Sequence, residues 1–189
     1  FSVRLYERNV AQQHQMILSD HLDLGFVLLQ EKDRIDANYL SICHEEMLLA
    51  IPRNHPLASL AASPGHPLTY ISLSLFKNEM FSLLFKGSTM RSIIDRQFLE
   101  AGFEPDILFE TSMNAVLQKM VAKGLCCAIF PQSYAHPTNE VACFRLDGNP
   151  GWDWCLVYPR GIRPGAACND LIHLAQKYGH EKQLQFMNI

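Results

Sequence analysis

No apolar run in this chain approaches the roughly 18 residues that a membrane span requires. The longest, Leu125-Cys126-Cys127-Ala128-Ile129-Phe130, is far shorter. Charge of one sign is also scarce. Against 19 Asp and Glu stand 16 Lys and Arg, a formal charge of -3. The basic residues are scattered in ones and twos, whereas a duplex-binding surface needs them clustered to displace counterions from phosphates. This stretch by itself is therefore expected to hold neither DNA nor a membrane. Phe1-Ser2-Val3-Arg4-Leu5-Tyr6 lacks the basic segment and small-residue cleavage site of a secretory leader.

The motifs that carry chemistry are missing as well. There is no Gly-x-Ser-x-Gly elbow, no Gly-x-Gly-x-x-Gly turn and no Walker loop. Cys-x-x-Cys, Cys-x-x-His and His-Glu-x-x-His spacings do not occur, and the 8 histidines are dispersed, so neither metal nor cofactor is expected. Glu45-Glu46 cannot act together on one substrate, because neighbours on a strand point to opposite faces. Cys126-Cys127 fails as a redox pair for the same reason. No enzyme is expected here.

What is present is an ordinary globular composition over 189 residues, 48% apolar and 19% charged, long enough to bury a sizeable core. Four of the six cysteines sit inside apolar, strand-like runs. They read as buried reduced thiols, which fits a reducing cytoplasm.

Periodicity supplies the elements. Phe1 to Tyr6 alternates as a strand does, and a helix opens where Asn9 caps and Gln12 reciprocates. Its inner face carries Val10, His14, Ile17 and His21. Asp23 to Leu29 is nearly all apolar, the pattern of a strand covered on both sides in a parallel sheet. Met47 to Ile51 is another buried strand, ended by Pro52 and Pro56. Residues 59–67 are a Ser/Ala/Pro/Gly stretch that reads as a loop or linker.

A second alternating set follows. Met80 to Phe85 is a strand and Lys86-Gly87-Ser88 a turn. The next helix has Met90, Ile93, Ile94, Phe98 and Ala101 on one face, stopped by Gly102. Ile107 to Phe109 is a strand, and Ser112 caps a helix striped with Met113, Val116, Leu117, Met120 and Val121. Leu125 to Phe130 is the strand after that. Val141 to Leu146 and Trp152 to Tyr158 flank Asp147-Gly148-Asn149-Pro150-Gly151, a strong turn. A last helix, striped with Ala167, Leu171, Leu174, Ala175 and Tyr178, needs an apolar face to lie on. The chain thus reads as α/β, leaving one lobe, building a second and returning.

Three segments carry a resemblance: Leu22-Asp23-Leu24-Gly25-Phe26; Glu45-Glu46-Met47-Leu48-Leu49-Ala50-Ile51-Pro52 running into His55-Pro56-Leu57-Ala58; and Met120-Val121-Ala122-Lys123-Gly124-Leu125 running into Ala128-Ile129-Phe130-Pro131. In that order and spacing the chain resembles the effector-binding domain of LysR-type transcriptional regulators. One departure is Gly124-Leu125-Cys126 where the family often has Gly-Leu-Gly. The resemblance implies two Rossmann-like lobes of the type 2 periplasmic-binding-protein kind, joined by two crossing strands near Ile51–Pro56 and Val141–Leu146. Lobe I would hold residues 1–53 and 145–189, and lobe II residues 54–144. It further implies a small-molecule effector in the interlobe cleft, and a cytoplasmic homodimer or tetramer. DNA would be bound only through a winged helix-turn-helix absent from this chain. One strand and helix of the domain itself would lie ahead of Phe1. The alternative from another class is a solute-binding receptor of a transport system, which shares the architecture.

In such a sheet ligands sit beyond the carboxyl ends of the strands, facing helix N-terminal amides and the positive end of the dipole. That points to Asn9, to Gly87, Ser88 and Thr89, and to Thr111 and Ser112, with an organic anion as the guest. Lys86 or Arg91 would add positive charge. Ser88 fits both a cap and a ligand contact, and Ser112 reads first as a cap. Phe130 at a strand end fits either core packing or stacking on an effector ring.

Overall fold

The computed structural model describes residues 3–63, 66–135 and 140–187. In chain order the elements are α1 (Val10–Leu18), β1 (Gly25–Leu29), β2 (Asn38–Pro52), β3 (Tyr70–Ile71), β4 (Met80–Leu84), α2 (Thr89–Ala101), β5 (Asp106–Thr111), α3 (Asn114–Ala122), β6 (Cys127–Pro131), β7 (Val141–Leu146), β8 (Gly151–Tyr158) and α4 (Ala166–Met187). They gather into two compact units, Phe1–His44 with Trp152–Gln185 and Glu45–Gly151 with Phe186–Ile189. The first division falls inside β2. Met47 to Ala50 pair with β6 and Leu48 to Pro52 with β7, and those ladders keep this half of the strand in unit two.

In unit one, Asn9 Oδ1 accepts from the Gln12 amide at 2.9 Å, while the Asn9 amide donates to Gln12 Oε1 at 3.3 Å. This is the capping box that the Asn-x-x-Gln spacing predicts. α1 then buries His14 and Ile17, and the core forms around Ile17, Val27, Leu29, Cys155 and Val157.

Three expectations are corrected in this unit. β1 is not covered on both sides in a parallel sheet. It lies at one end of the strand order, pairs antiparallel with β8 and leaves Phe26 45% exposed, so it alternates in and out. Val3 to Tyr6, the described part of the expected first strand, is not a strand either. Phe1 and Ser2 lie outside the described residues, and residues 3–9 take no regular structure, with Val3, Leu5 and Tyr6 exposed. Alternation gives a strand only where a neighbour supplies the ladder. The stripe of α4 is the third. Leu171, Leu174 and Tyr178 stay 43%, 64% and 48% exposed, lining with Leu24, Phe26 and Leu156 an apolar hollow of about 470 Å³. α4 instead approaches β2 on its glycine side, at Gly179, where an added Cβ would meet the Ile42 side chain and stand 2.8 Å from the Ile42 carbonyl oxygen. Tyr178 still stacks on Trp154 of β8 at 6.2 Å, but the closest approach of this helix is that of its backbone at Gly179.

In unit two, β4 runs parallel to β5 on one side and β6 on the other, β6 and β7 flank β2 antiparallel, and β3 adds parallel to β7. Met47 to Pro52 are buried throughout, as a strand covered on both faces must be. α2 buries Met90, Ile93, Ile94 and Phe98, with Phe98 edge-on to Phe81 at 4.9 Å and to Phe103 at 5.3 Å. Each such aromatic pair adds about 0.5–1.5 kcal/mol beyond its buried area. Gly102 (φ 77°) and Gly124 (φ 72°) end α2 and α3 in the left-handed region, and the Phe103 and Leu125 amides reach back to the Phe98 and Met120 carbonyls. Among the described residues no helix is long and apolar enough to cross a membrane.

One charge is buried at the heart of this unit. Arg91, 2% exposed, donates to the Leu84 carbonyl at 2.6 Å, to Glu110 Oε1 at 2.5 Å and to Asp95 Oδ1 at 2.6 Å. Burial opposes its charge and the two carboxylates favour it, with the balance holding the guanidinium protonated.

Two substitutions test these packing arguments. Arg91→Met should lower the unfolding free energy by about 2–4 kcal/mol, since it strips the Leu84 carbonyl of a charge-assisted donor and leaves a poorly filled site. Gly179→Ala, which on an open helix would stabilise, should here cost about 1–3 kcal/mol. Urea unfolding of both variants checks the signs.

Candidate functional site

The parallel trio β5, β4 and β6 ends on one edge of unit two, and the loops that leave it start two helices. At that edge the Phe85 amide donates to the Thr111 carbonyl at 3.0 Å, so the loops after β4 and β5 emerge side by side. The structure thereby brings Gly87, Ser88 and Thr89 together with Thr111 and Ser112.

Gly87 takes φ 92° with open space where a Cβ would stand, so it is required for its backbone angle and not for lack of room. Ser88 is the cap of α2, its Oγ accepting from the Arg91 amide at 3.1 Å. It is half-buried, as is Thr89.

The second helix start differs from expectation. The cap of α3 is Met113, which offers no side-chain acceptor, and Ser112 is exposed and makes no cap. Thr111 does a related job one step earlier: its Oγ1, on a buried residue, accepts from the Met113 amide at 3.2 Å. Ser-x-x-x at a helix start is a weak signal because the neighbouring Thr offers the same chemistry.

Sequence reasoning passed over Asn114, the first residue of α3. Its Oδ1 is buried with no hydrogen-bond partner among the described residues. The available signal was an Asn two residues after the strand-end hydroxyls, at a helix position whose amide has no intrahelical acceptor.

The remaining candidates fall elsewhere. Arg91 lies beside this edge, but its Nε and Nη1 donors are already engaged by Asp95, Leu84 and Glu110, whereas Lys86 is exposed. Phe130 is fully buried, which fits core packing of the two roles open to it. Asn9 belongs to unit one, where both its amide and its side chain serve the capping box.

Nucleophilic chemistry finds little support in the thiols. Burial pushes Cys127 and Cys143 up to about 12 and raises Cys126 and Cys155 as well. Cys126 donates to Ser82 Oγ at 3.2 Å in the core. These sulfurs are held protonated near neutral pH, the opposite of an activated thiolate. What the edge of unit two offers is hydroxyls, backbone amides and helix dipoles, which bind and orient.

Comparison with known proteins agrees with this architecture. The family model for the LysR substrate binding domain matches residues 1–179. The HTH-type transcriptional regulator YybE of Bacillus subtilis, itself uncharacterised, is 32% identical over 148 residues, covering 76% of this chain and 47% of the relative. The chain thus spans about half the length of that curated relative. Among solved structures, the regulatory domain of Synechocystis CcmR in complex with 2-PG superposes with a TM-score of 0.72 at 18% identity, covering 90% of this chain and 80% of that one. The BenM effector-binding domain with its effector benzoate gives 0.70 at 18%, covering 94% and 79%. The fold is accordingly the type 2 periplasmic-binding-protein-like α/β fold of such domains, and the chain belongs to the LysR substrate-binding-domain family.

Proposed function

We propose that this chain is the effector-sensing part of a LysR-type transcriptional regulator and that its effector is a small organic anion held between the two units. The observation that carries the reading is the edge of unit two, where two helix N-termini emerge from adjacent parallel strands with the hydroxyls of Ser88, Thr89 and Thr111 around them. Unpaired amides and the positive ends of two dipoles favour a carboxylate or phosphate there. α3 lacks a side-chain cap, so its first amides are the ones an anion would satisfy. Support for the ligand class comes from BenM, whose structure holds benzoate, a carboxylate.

In the full regulator, effector binding controls transcription through a DNA-binding domain elsewhere in the protein, acting in a homo-oligomer. The effector shifts the protein between arrangements only to the extent that it binds one of them better. Ser88, Thr89 and Thr111 would orient the anion, with Ser112, Asn9 and Lys86 as outer contacts.

A thermal-shift screen of small aromatic and aliphatic carboxylates, each paired with its neutral amide, tests this. At one hundred times its dissociation constant a ligand adds about 2.7 kcal/mol of stability. At least one acid should raise the melting temperature while its amide does not, and stabilisation by none at millimolar concentration would refute the proposal. For the acid that binds, Ser88→Ala should weaken affinity by about 1.5–3 kcal/mol, the worth of one hydrogen bond to a charged group, and cost about 1 kcal/mol of stability through the lost cap. An unchanged affinity would leave Ser88 a cap and nothing more.

A further inference from the structure

Away from the helix starts, at the amino ends of β4 and β6, unit two brings together three side chains from separate elements. His55 follows β2, Glu79 precedes β4 and Cys127 opens β6, and one ligand atom from each lies within 4.8 Å of the other two. His55 Nε2 stands 3.2 Å from Glu79 Oε1. The Cys127 residue is 2% exposed, and the His55 and Glu79 side chains 12% and 42%, so the cluster has a buried floor and one side open to solvent. The His55 ring packs on Phe76, with centroids 5.7 Å apart, which fixes its plane.

We propose that His55, Glu79 and Cys127 form a binding site for one divalent cation of borderline softness, zinc being the best match. Imidazole, carboxylate and thiolate are the three donor types zinc accepts, and three protein ligands with an open fourth position is one of its two common arrangements. With bonds of about 2.0–2.3 Å the ligand atoms of a tetrahedral ion sit about 3.3–3.6 Å apart, a spacing close to the 3.2 Å between His55 Nε2 and Glu79 Oε1 and inside the 4.8 Å that bounds the cluster. The exposed Glu79 side chain can adjust to the ion, and water takes the fourth position on its side.

The chemistry balances without any redox partner. His55 Nδ1 accepts from the Leu57 amide at 3.1 Å, so the ring proton sits on Nε2 and faces the Glu79 carboxylate. On binding, that proton moves to Nδ1 and Nε2 gives its lone pair to the metal. One hydrogen bond, the one that caps the turn at Pro56–Leu60, is lost. The Cys127 thiol releases its proton to solvent, and Glu79 coordinates through its carboxylate group. A bound ion would staple the segment after β2 to the amino ends of β4 and β6, independently of any effector.

Titration of the metal-free chain with cobalt(II), a coloured substitute for zinc, tests the assignment. We expect one ion per chain, a thiolate-to-cobalt charge-transfer band with intense tetrahedral d–d absorption, and displacement of both by equimolar zinc. Cys127→Ser should abolish the charge-transfer band, and Glu79→Gln and His55→Asn should each weaken binding at least tenfold. Asn at position 55 retains a capping acceptor, and Glu79 is exposed, so these variants read the site even where the Cys127 variant folds poorly. Absence of the band, its survival in Cys127→Ser, or binding unchanged in Glu79→Gln would overturn the proposal.

Discussion

A guanidinium taken out of water must find partners for its donors, and Arg91 finds them on three elements at once. Leu84 closes β4, Glu110 lies one residue from the end of β5, and Asp95 sits one turn further along α2. Because each partner is fixed by its own strand or helix, the arginine locks the ends of two parallel strands and the first turn of a helix into one geometry. The loop of Gly87 and Ser88 and the strand end at Thr111 inherit their relative placement from it. The charge that the sequence offers as an anion contact is thus a strut behind the site.

Local signals were the legible ones. The Asn9 and Gln12 pair, the apolar face of α2 and the glycine that ends α2 all follow from interactions within a few residues, and each is found where its spacing predicts. The run Met47 to Ile51, and Phe81 to Leu84 within the run Met80 to Phe85, are strands because burial on both faces needs continuous apolar residues. Of the site, the strand-turn-helix pattern that brings Gly87, Ser88 and Thr89 beside Thr111 and Ser112 was readable for the same reason.

Non-local facts were hidden. Nothing within Gly25 to Leu29 distinguishes a parallel neighbour from the antiparallel β8, since pairing sense depends on a segment more than a hundred positions away. The α4 stripe has helical spacing, yet whether a stripe is covered depends on what else reaches it, and the closest approach of α4 is at the bare side of Gly179. Residues 3–9 show the same limit: apolar alternation without a ladder leaves Leu5 in solvent. His55, Glu79 and Cys127 share no short motif, because their proximity is created by the strand order itself.

The free cysteines have a practical consequence. Cys43 and Cys155 are buried in unit one, Cys126 and Cys127 in unit two, and none is tied in a disulfide. A sulfur that is protonated and shielded when folded reacts with an alkylating reagent only when its surroundings open. Each half of the molecule therefore carries its own intrinsic clock, and the rate at which each pair is modified would report the breathing of that half separately, without any residue being substituted.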